Sequence, residues 1–178
     1  MFTYYINQNI SLKFPELKDA DRIFQLTDRS REYLREWLPW VDFTKTVENS
    51  RKFIQISRQD YIDQKSMVTF IVWKGKVVGV AGFNQIDWSN KSVQIGYWLD
   101  KNYEGKGIMT KSVEALTDYA FNQLSINRVE IKAAVNNKKS RAIPERLGFV
   151  KEGIMQQAEW INDRFEDIVV YGKIAGLA

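Results

Sequence analysis

The stretch from Ile95 to Met109 constrains the fold more than any other part of the chain. An apolar, aromatic strand pattern, Ile95-Gly96-Tyr97-Trp98-Leu99, closes at Asp100. A turn follows, Glu104-Gly105-Lys106-Gly107, and a helical pattern begins near Lys106. It continues through Ile108, Val113, Leu116, Tyr119, Ala120 and Leu124, close to the spacing of one apolar face. The first N–H groups of such a helix have no partner within it and lie at its positive end, so they can hold a pyrophosphate without a side-chain cation. Gly105 and Gly107 admit close approach and unusual φ values. Two familiar phosphate-binding folds do not fit. Lys106 lies between the glycines, so there is no Walker-type lysine, and Thr110 stands where the dinucleotide fingerprint needs a third glycine.

What the chain lacks narrows its chemistry further. It contains no Cys and no His. Disulfides, a thiolate nucleophile, thiolate metal ligands, the usual general base and the commonest transition-metal ligand are therefore absent, and the expected metal content is none. A Ser-His-Asp triad or a Cys-His pair cannot be assembled. Catalysis has to come from placement, backbone dipoles, hydroxyls, carboxylates or the acceptor's own amine. A net charge of +4, from 26 basic and 22 acidic residues, suits a polyanionic ligand without the clustered charge of a nucleic-acid binder. No apolar run approaches the roughly 20 residues that span a bilayer. Met1 to Asn9 lacks the basic-then-apolar order of a signal peptide, so a cytoplasmic location is expected, with neither membrane nor direct nucleic acid as partner.

At 178 residues the chain suits one domain, 1–178. Ile10 to Phe14 alternates as a first strand stopped by Pro15, and Asp19 can cap a helix carrying Ile23, Phe24 and Leu26. Tyr33 to Trp40 reads as a short helical piece ending near Pro39. Val47 to Ile62 reads as a helix through Val47, Phe53, Ile54, Ile56 and Tyr61. Met67–Trp73 and Val77–Ile86 form a hairpin across Lys74-Gly75-Lys76, and Ser92–Leu99 is the next strand. After the glycine turn and its helix come a strand from Val129 to Val135, a helix from Ser140 to Leu147, and strands over Phe149–Trp160 and Phe165–Ile174 joined by Asn162-Asp163. An antiparallel sheet comes first and a strand–helix–strand unit second.

A second motif lies about thirty residues after the first: Asn136-Asn137-Lys138-Lys139-Ser140-Arg141-Ala142-Ile143-Pro144-Glu145-Arg146-Leu147-Gly148-Phe149. With Gly96-Tyr97-Trp98 and the turn Glu104 to Met109, it resembles the GCN5-related N-acetyltransferase (GNAT) superfamily over essentially the whole chain. Within it, the sequence is most similar to the RimJ/RimL-like branch of ribosomal-protein serine/alanine N-acetyltransferases, YdaF-like bacterial members included. The resemblance implies an α/β (α+β) fold with a mixed, mostly antiparallel central sheet of about seven strands, flanked by helices and splayed between two parallel strands. It implies acetyl-CoA as donor. Backbone groups of Tyr97, Trp98 and Leu99 would pair with the pantetheine arm. The amides of Glu104, Gly105, Lys106, Gly107, Ile108, Met109 and Thr110 would cradle the pyrophosphate, and Asn137 and Ser140 would face the sulfur end. A homo-oligomer is compatible with this branch.

This chain departs from the family's pattern in several places. Glu104 and Met109 replace the Gln or Arg and the Gly or Ala that commonly bound the phosphate turn. Pro144 stands where many members carry a tyrosine general acid, and Gln94 stands where close relatives carry Glu. Ser140 is the expected proton donor to the departing thiolate. Glu32, Glu36, Asp87 and Glu159 are unranked carboxylates for the amine proton. A peptide α-amine, with a pKa of about 7.7–8.0, is roughly one-third neutral at pH 7.5, against about one in a thousand for a lysine. A site without a strong base therefore favours an α-amine or a small amine of low pKa, and the resemblance implies a protein N-terminal α-amine. A small amine (polyamine, aminoglycoside or amino acid) and a silent acetyl-CoA-binding module are the alternatives. Trp37, Trp40, Trp88 and Trp160 sit near segment ends, where they suit an acceptor groove, core packing or a subunit interface.

Overall fold

The computed structural model describes residues 2–177. In chain order its elements are β1 (Thr3–Tyr5), β2 (Ile10–Lys13), α1 (Ala20–Arg29), α2 (Arg31–Leu34), α3 (Val47–Ile62), β3 (Met67–Trp73), β4 (Lys76–Asp87), β5 (Ser92–Leu99), α4 (Ile108–Asn122), β6 (Arg128–Ala134), α5 (Lys138–Arg146), β7 (Val150–Ile161) and β8 (Arg164–Ile174). The strands form one eight-stranded sheet in the order β1-β2-β3-β4-β5-β6-β8-β7. One more strand is present than expected, because three-residue β1 is too short to announce itself by alternation. Every pairing is antiparallel except β5 with β6, which the α4 crossover makes parallel.

Side-chain alternation sorts the sheet's two faces. Ile71, Ala81, Phe83 and Ile95 point to a core completed by Ile108, Val113, Leu116 and Ala120 of α4. Phe70 and Val80 point to the other side, where Ala20, Ile23 and Leu26 of α1 and Ile54 of α3 cover them. The predicted stripe on α4 is borne out, but that on α3 is not. The buried stripe there is Ser50, Ile54 and Ser57, at i, i+4 and i+7, while Phe53, Ile56 and Tyr61 are exposed. Tyr61 instead packs its ring 4.8 Å from Phe14.

Several boundaries shift for local reasons. Gly107, at φ 70°, is the N-cap of α4, so the helix begins at Ile108 rather than Lys106. The piece expected over Tyr33–Trp40 splits into α2 and a 3-10 turn over Pro39–Phe43, because proline cannot continue the i→i−4 ladder. Asp19 does not cap α1 with its side chain. Its carboxylate accepts from Glu16 N at 3.1 Å, closing a capping box on the 3-10 turn Leu17–Asp19. The two predicted hairpin turns are present, with Lys74-Gly75 at φ 46° and 79° and Asn162-Asp163 at φ 50° and 61°, as tight two-residue turns require.

Beside the parallel pair the strands pack closely over two glycines. Gly82 of β4 faces Gly96 of β5 in the register. A Cβ on Gly82 would collide with the Met67 carbonyl oxygen and crowd Val68 Cα of β3. Gly82→Ala is therefore expected to cost about 1–3 kcal/mol by forcing β3 and β4 apart, read as a lower urea midpoint.

Candidate functional site

The parallel pair is short: Ser92–Ile95 of β5 align with Arg128–Ile131 of β6, and pairing then stops. Beyond that point β5 keeps only β4 as a neighbour and β6 only β8, so their facing edges splay apart. A cleft of about 980 Å³ opens there. Its lining includes Tyr97, Trp98 and Leu99 of β5, the turn residues Glu104, Gly105 and Gly107, Ile108, Met109 and Thr110 of α4, and Asn137 and Ser140. Eleven of the twelve named donor-site positions thus line the cleft, Lys106 extending instead from the turn's outer side to bond Asn102 O at 3.0 Å.

The turn is built rigidly. Asp100, fully buried, pairs with Arg29 of α1 and accepts from Asn102 N at 2.9 Å, anchoring the chain before the glycines. Gly105 and Gly107 both take positive φ, 72° and 70°, and no protein atom lies within 4 Å of where a Cβ would sit on either. Lys111 N makes the first i→i−4 bond of α4, to Gly107 O, so the amides of Ile108, Met109 and Thr110 have no helical acceptor. Glu104 N is already bonded to Lys101 O at 3.3 Å, which removes it from the set of outward amides. Arg146 of α5 donates to Thr110 Oγ1 at 2.7 Å, adding a cation beside the helix N-terminus that the motif reading overlooked. The Glu104 carboxylate is neutralised on the spot. Lys139 donates to it at 2.8 Å and the Tyr33 hydroxyl donates to it as well, with Lys139 Nζ 5.2 Å from the Tyr33 ring centroid. Burial and the Glu104 charge both push the Tyr33 phenol's pKa up.

At the other wall, Asn137 caps α5, its side-chain oxygen accepting from Ser140 N at 3.2 Å. Pro144 lies inside this helix and supplies no N–H for the carbonyl four residues back, that of Ser140. The Tyr97 hydroxyl fills the gap, donating to Ser140 O at 2.8 Å across the cleft from β5. Ser140 Oγ lies 3.4 Å from Tyr97 Oη. Burial raises the Tyr97 pKa well above that of a free phenol, against a smaller lowering from Ser140, so it stays a donor through the neutral range. Leu147-Gly148-Phe149 closes the helix as a Schellman cap: Gly148 N bonds Glu145 O at 3.3 Å and Phe149 N bonds Pro144 O at 2.9 Å.

The second half of the cleft is aromatic, with Trp37, Trp40, Phe43, Phe53 and Trp98 on its walls and the rings of Trp40 and Trp98 5.9 Å apart. Trp88 and Trp160 do not line it. Trp88 donates to Gln64 O, and Trp160 packs edge-on against Phe165. Of the four carboxylates, only Glu159 lines the cleft. Asp87 instead accepts from Asn90 N at 2.9 Å and Asn90 Nδ2 at 2.7 Å, bonds that lower its pKa. Gln94 and Asn84 also line the cleft.

Residues 9–150 match the family described as the acetyltransferase (GNAT) domain. The chain belongs to the GNAT family. It is 36% identical over 172 residues to YdaF of Bacillus subtilis (strain 168), a provisionally assigned ribosomal N-acetyltransferase, with 96% of this chain and 94% of that protein covered. RimL, a ribosomal L7/L12 α-N-protein acetyltransferase solved with coenzyme A, superposes with a TM-score of 0.94 at 29% identity, covering 97% of this chain and 98% of that one. MccE, a microcin C7 self-immunity acetyltransferase solved with acetyl-CoA and AMP, gives a TM-score of 0.91 at 35% identity, covering 95% and 94%. This GNAT chain is accordingly an N-acetyltransferase, and enzymes of the family draw the acetyl group from acetyl-CoA. Among the described residues no helix is long and apolar enough to cross a membrane.

Tyr97 and Pro144 form a coupled pair that can be measured. Tyr97→Phe orphans the Ser140 carbonyl and is expected to cost about 1 kcal/mol. In a Pro144→Ala background the restored amide takes over, so most of that cost vanishes. A double-mutant cycle by urea unfolding reads the difference.

Proposed function

We propose that this GNAT enzyme acetylates a protein or peptide N-terminal α-amine by direct attack within a ternary complex. The observation that carries the reading is the cleft's charge. Lys52, Lys132, Lys139 and Arg146 line it against only Glu104 and Glu159; Lys139 is paired with Glu104 and Lys132 with Glu130, which leaves Lys52 and Arg146 against Glu159. A polyamine, carrying several positive charges, meets an excess of like charge there. A terminus carrying one amine of near-neutral pKa meets one carboxylate, that of Glu159, which forms no salt bridge among the described residues. RimL's activity on a ribosomal α-amine supports the same acceptor class. A small amine bearing a flat ring is the second reading, favoured by the paired rings of Trp40 and Trp98 and by the AMP held in the MccE complex.

In this reading the pantetheine arm runs along the bare edge of β5 at Tyr97, Trp98 and Leu99. The outward amides from Gly105 through Lys106, Gly107, Ile108 and Met109 to Thr110 face the pyrophosphate, with Arg146 beside them. Glu104 contributes its side-chain bridge rather than its amide, and Asn137 and Ser140 border the thioester sulfur. The neutral amine attacks the thioester carbonyl carbon, and a β5 N–H near Tyr97 or Trp98 steadies the oxyanion. As the C–S bond breaks, the thiolate takes a proton from a water or from Ser140 Oγ, which regains one from solvent water. The amine's surplus proton passes to water held by Glu159.

Gly107→Val places a side chain where phosphate would approach and strains a positive φ, so acetyl-CoA affinity is expected to fall at least tenfold, about 1.4 kcal/mol. Calorimetry on the folded variant reads this, and unchanged affinity removes the phosphate assignment. Ser140→Ala and Glu159→Gln are each expected to lower kcat by roughly ten- to a thousandfold with smaller changes in cofactor affinity. Initial-rate lines should intersect when both substrates vary. The rate should climb with pH through the acceptor's pKa at about 7.7–8.0, because the neutral amine attacks. No inflection from Tyr97 is expected in that range, since its pKa is raised. Coenzyme A release against N-terminal peptides, polyamines and ring-bearing small amines decides the acceptor, and turnover of polyamines alone would sink the α-amine reading. A stoichiometric acetyl-enzyme in intact-mass spectra would sink direct attack.

A further inference from the structure

β4 and β5 pair evenly from Gly79–Leu99 to Phe83–Ile95, and again from Gln85–Gln94 to Asp87–Ser92. Asn84 is the extra residue between the two runs and has no partner on β5, which makes it a β-bulge. Bulges re-aim a side chain, and here the aim is onto the next strand. A Cβ on Gly96 would run into Nδ2, Cγ and Oδ1 of Asn84. The carboxamide therefore lies over β5 in the space that the glycine's missing side chain leaves. Asn84 is exposed there and lines the cleft. Among the described residues, no protein group bonds to its carboxamide, so both oxygen and amide are open to the cleft.

Alternation along β5 tells which side of the strand this is. Ile95, Tyr97 and Leu99 pack with the core under α4, and Tyr97 reaches α5 through Ser140 O. Trp98 packs on the opposite side, with α1 and α3, where its ring lies 5.9 Å from Trp40. Gly96 shares the Trp98 side. The Asn84 carboxamide thus stands on the aromatic side of β5, directly before the Tyr97–Leu99 edge.

We propose that Asn84 binds the acceptor's reacting nitrogen, its Oδ1 accepting an N–H of the neutral amine and aiming the lone pair at the thioester carbonyl carbon. This inference rests on the reading that an amine attacks directly within this cleft, and it adds a residue to that site. As the C–N bond forms, positive charge builds on nitrogen and the N–H···O bond strengthens, as bonds from charged donors do. A contact that is stronger in the transition state than in the ground state raises kcat, not only affinity. The C–S bond then breaks, and the surplus proton still leaves through water held by Glu159, because a carboxamide oxygen is no base at neutral pH. Neutrality matters at this position. A carboxylate would stabilise the protonated amine, which has no lone pair for attack.

The test uses whichever amine gives coenzyme A release. In Asn84→Ala, kcat should fall about ten- to a hundredfold, the loss of one hydrogen bond to a developing charge. Acetyl-CoA affinity and melting temperature should hold, since the carboxamide bonds no protein group. In Asn84→Asp the added carboxylate should keep the bound amine protonated, so the rise of kcat with pH should move up by about one pH unit. Besides Glu104, Lys139 and Arg146 at the phosphate turn, the charged groups lining the cleft are Lys132 of β6, held by Glu130 at 3.1 Å, Lys52 of α3 and Glu159 of β7. All remain in both variants, so the shift is read against a constant background. Wild-type kcat in Asn84→Ala overturns the proposal, as does a fall in kcat matched by an equal loss of acetyl-CoA affinity. A pH profile that stays in place or moves down in Asn84→Asp overturns it too. Turnover confined to polyamines would instead overturn the α-amine reading, and the Asn84 variants would still be read on those amines.

Discussion

Beyond Ile95 and Ile131 the two parallel strands expose peptide groups on facing edges, in a place where a sheet would ordinarily be continuous. Unpaired backbone in a protein interior is costly, so something has to occupy or solvate that gap. α5 holds the gap open without filling it. Arg141 ties the helix to Val135 O at 2.7 Å, at the end of β6, and to the Tyr171 hydroxyl of β8 at 2.9 Å. Tyr97 ties it to β5 through Ser140 O. The helix is thus pinned to both lips of the opening, and the cleft is the space left between them.

Two local irregularities make that arrangement self-consistent. Pro144 would ordinarily weaken a nine-residue helix by orphaning a carbonyl, yet here the orphan is the acceptor that Tyr97 needs once burial has taken its hydroxyl out of water. Glu104 would ordinarily leave a bare negative charge beside the turn, yet Lys139 and Tyr33 both donate to its carboxylate. In each case a residue that breaks the usual pattern is matched by a partner from a different element.

Much of this was legible in the sequence. Period-two alternation and two-residue turns located the main strands, and the order of Gly107, Ile108 and the α4 stripe located the phosphate-type junction. What could not be read depends on contacts between distant residues. Tyr97 and Ser140 lie 43 positions apart, and only the folded chain places one hydroxyl at the other's carbonyl. Glu159 could not be separated from Glu32, Glu36 and Asp87 until the cleft was drawn. The face of α3 was misread because its inner stripe is rich in serine, while apolar Phe53 and Ile56 line the cleft instead of the core. The i→i−4 rule applied to Pro144 would have flagged the Ser140 carbonyl, a signal that was present and unused.

The hairpin turn at Asn162 also bears on the order in which the protein assembles. Its side-chain amide donates to Arg35 O at 2.9 Å and Glu36 O at 3.1 Å, bridging 127 and 126 positions of sequence. On a ribosome, β1 to β5 can zip together through neighbouring antiparallel pairings as they emerge. β6 pairs across the α4 crossover, and the β6–β8 pairing and the Asn162 clasp need residues from 162 onward, so they form after the first five strands. The glycine turn is therefore synthesised well before the wall bearing Glu159, and the cleft is enclosed only when the β7–β8 hairpin folds back onto the loop after α2.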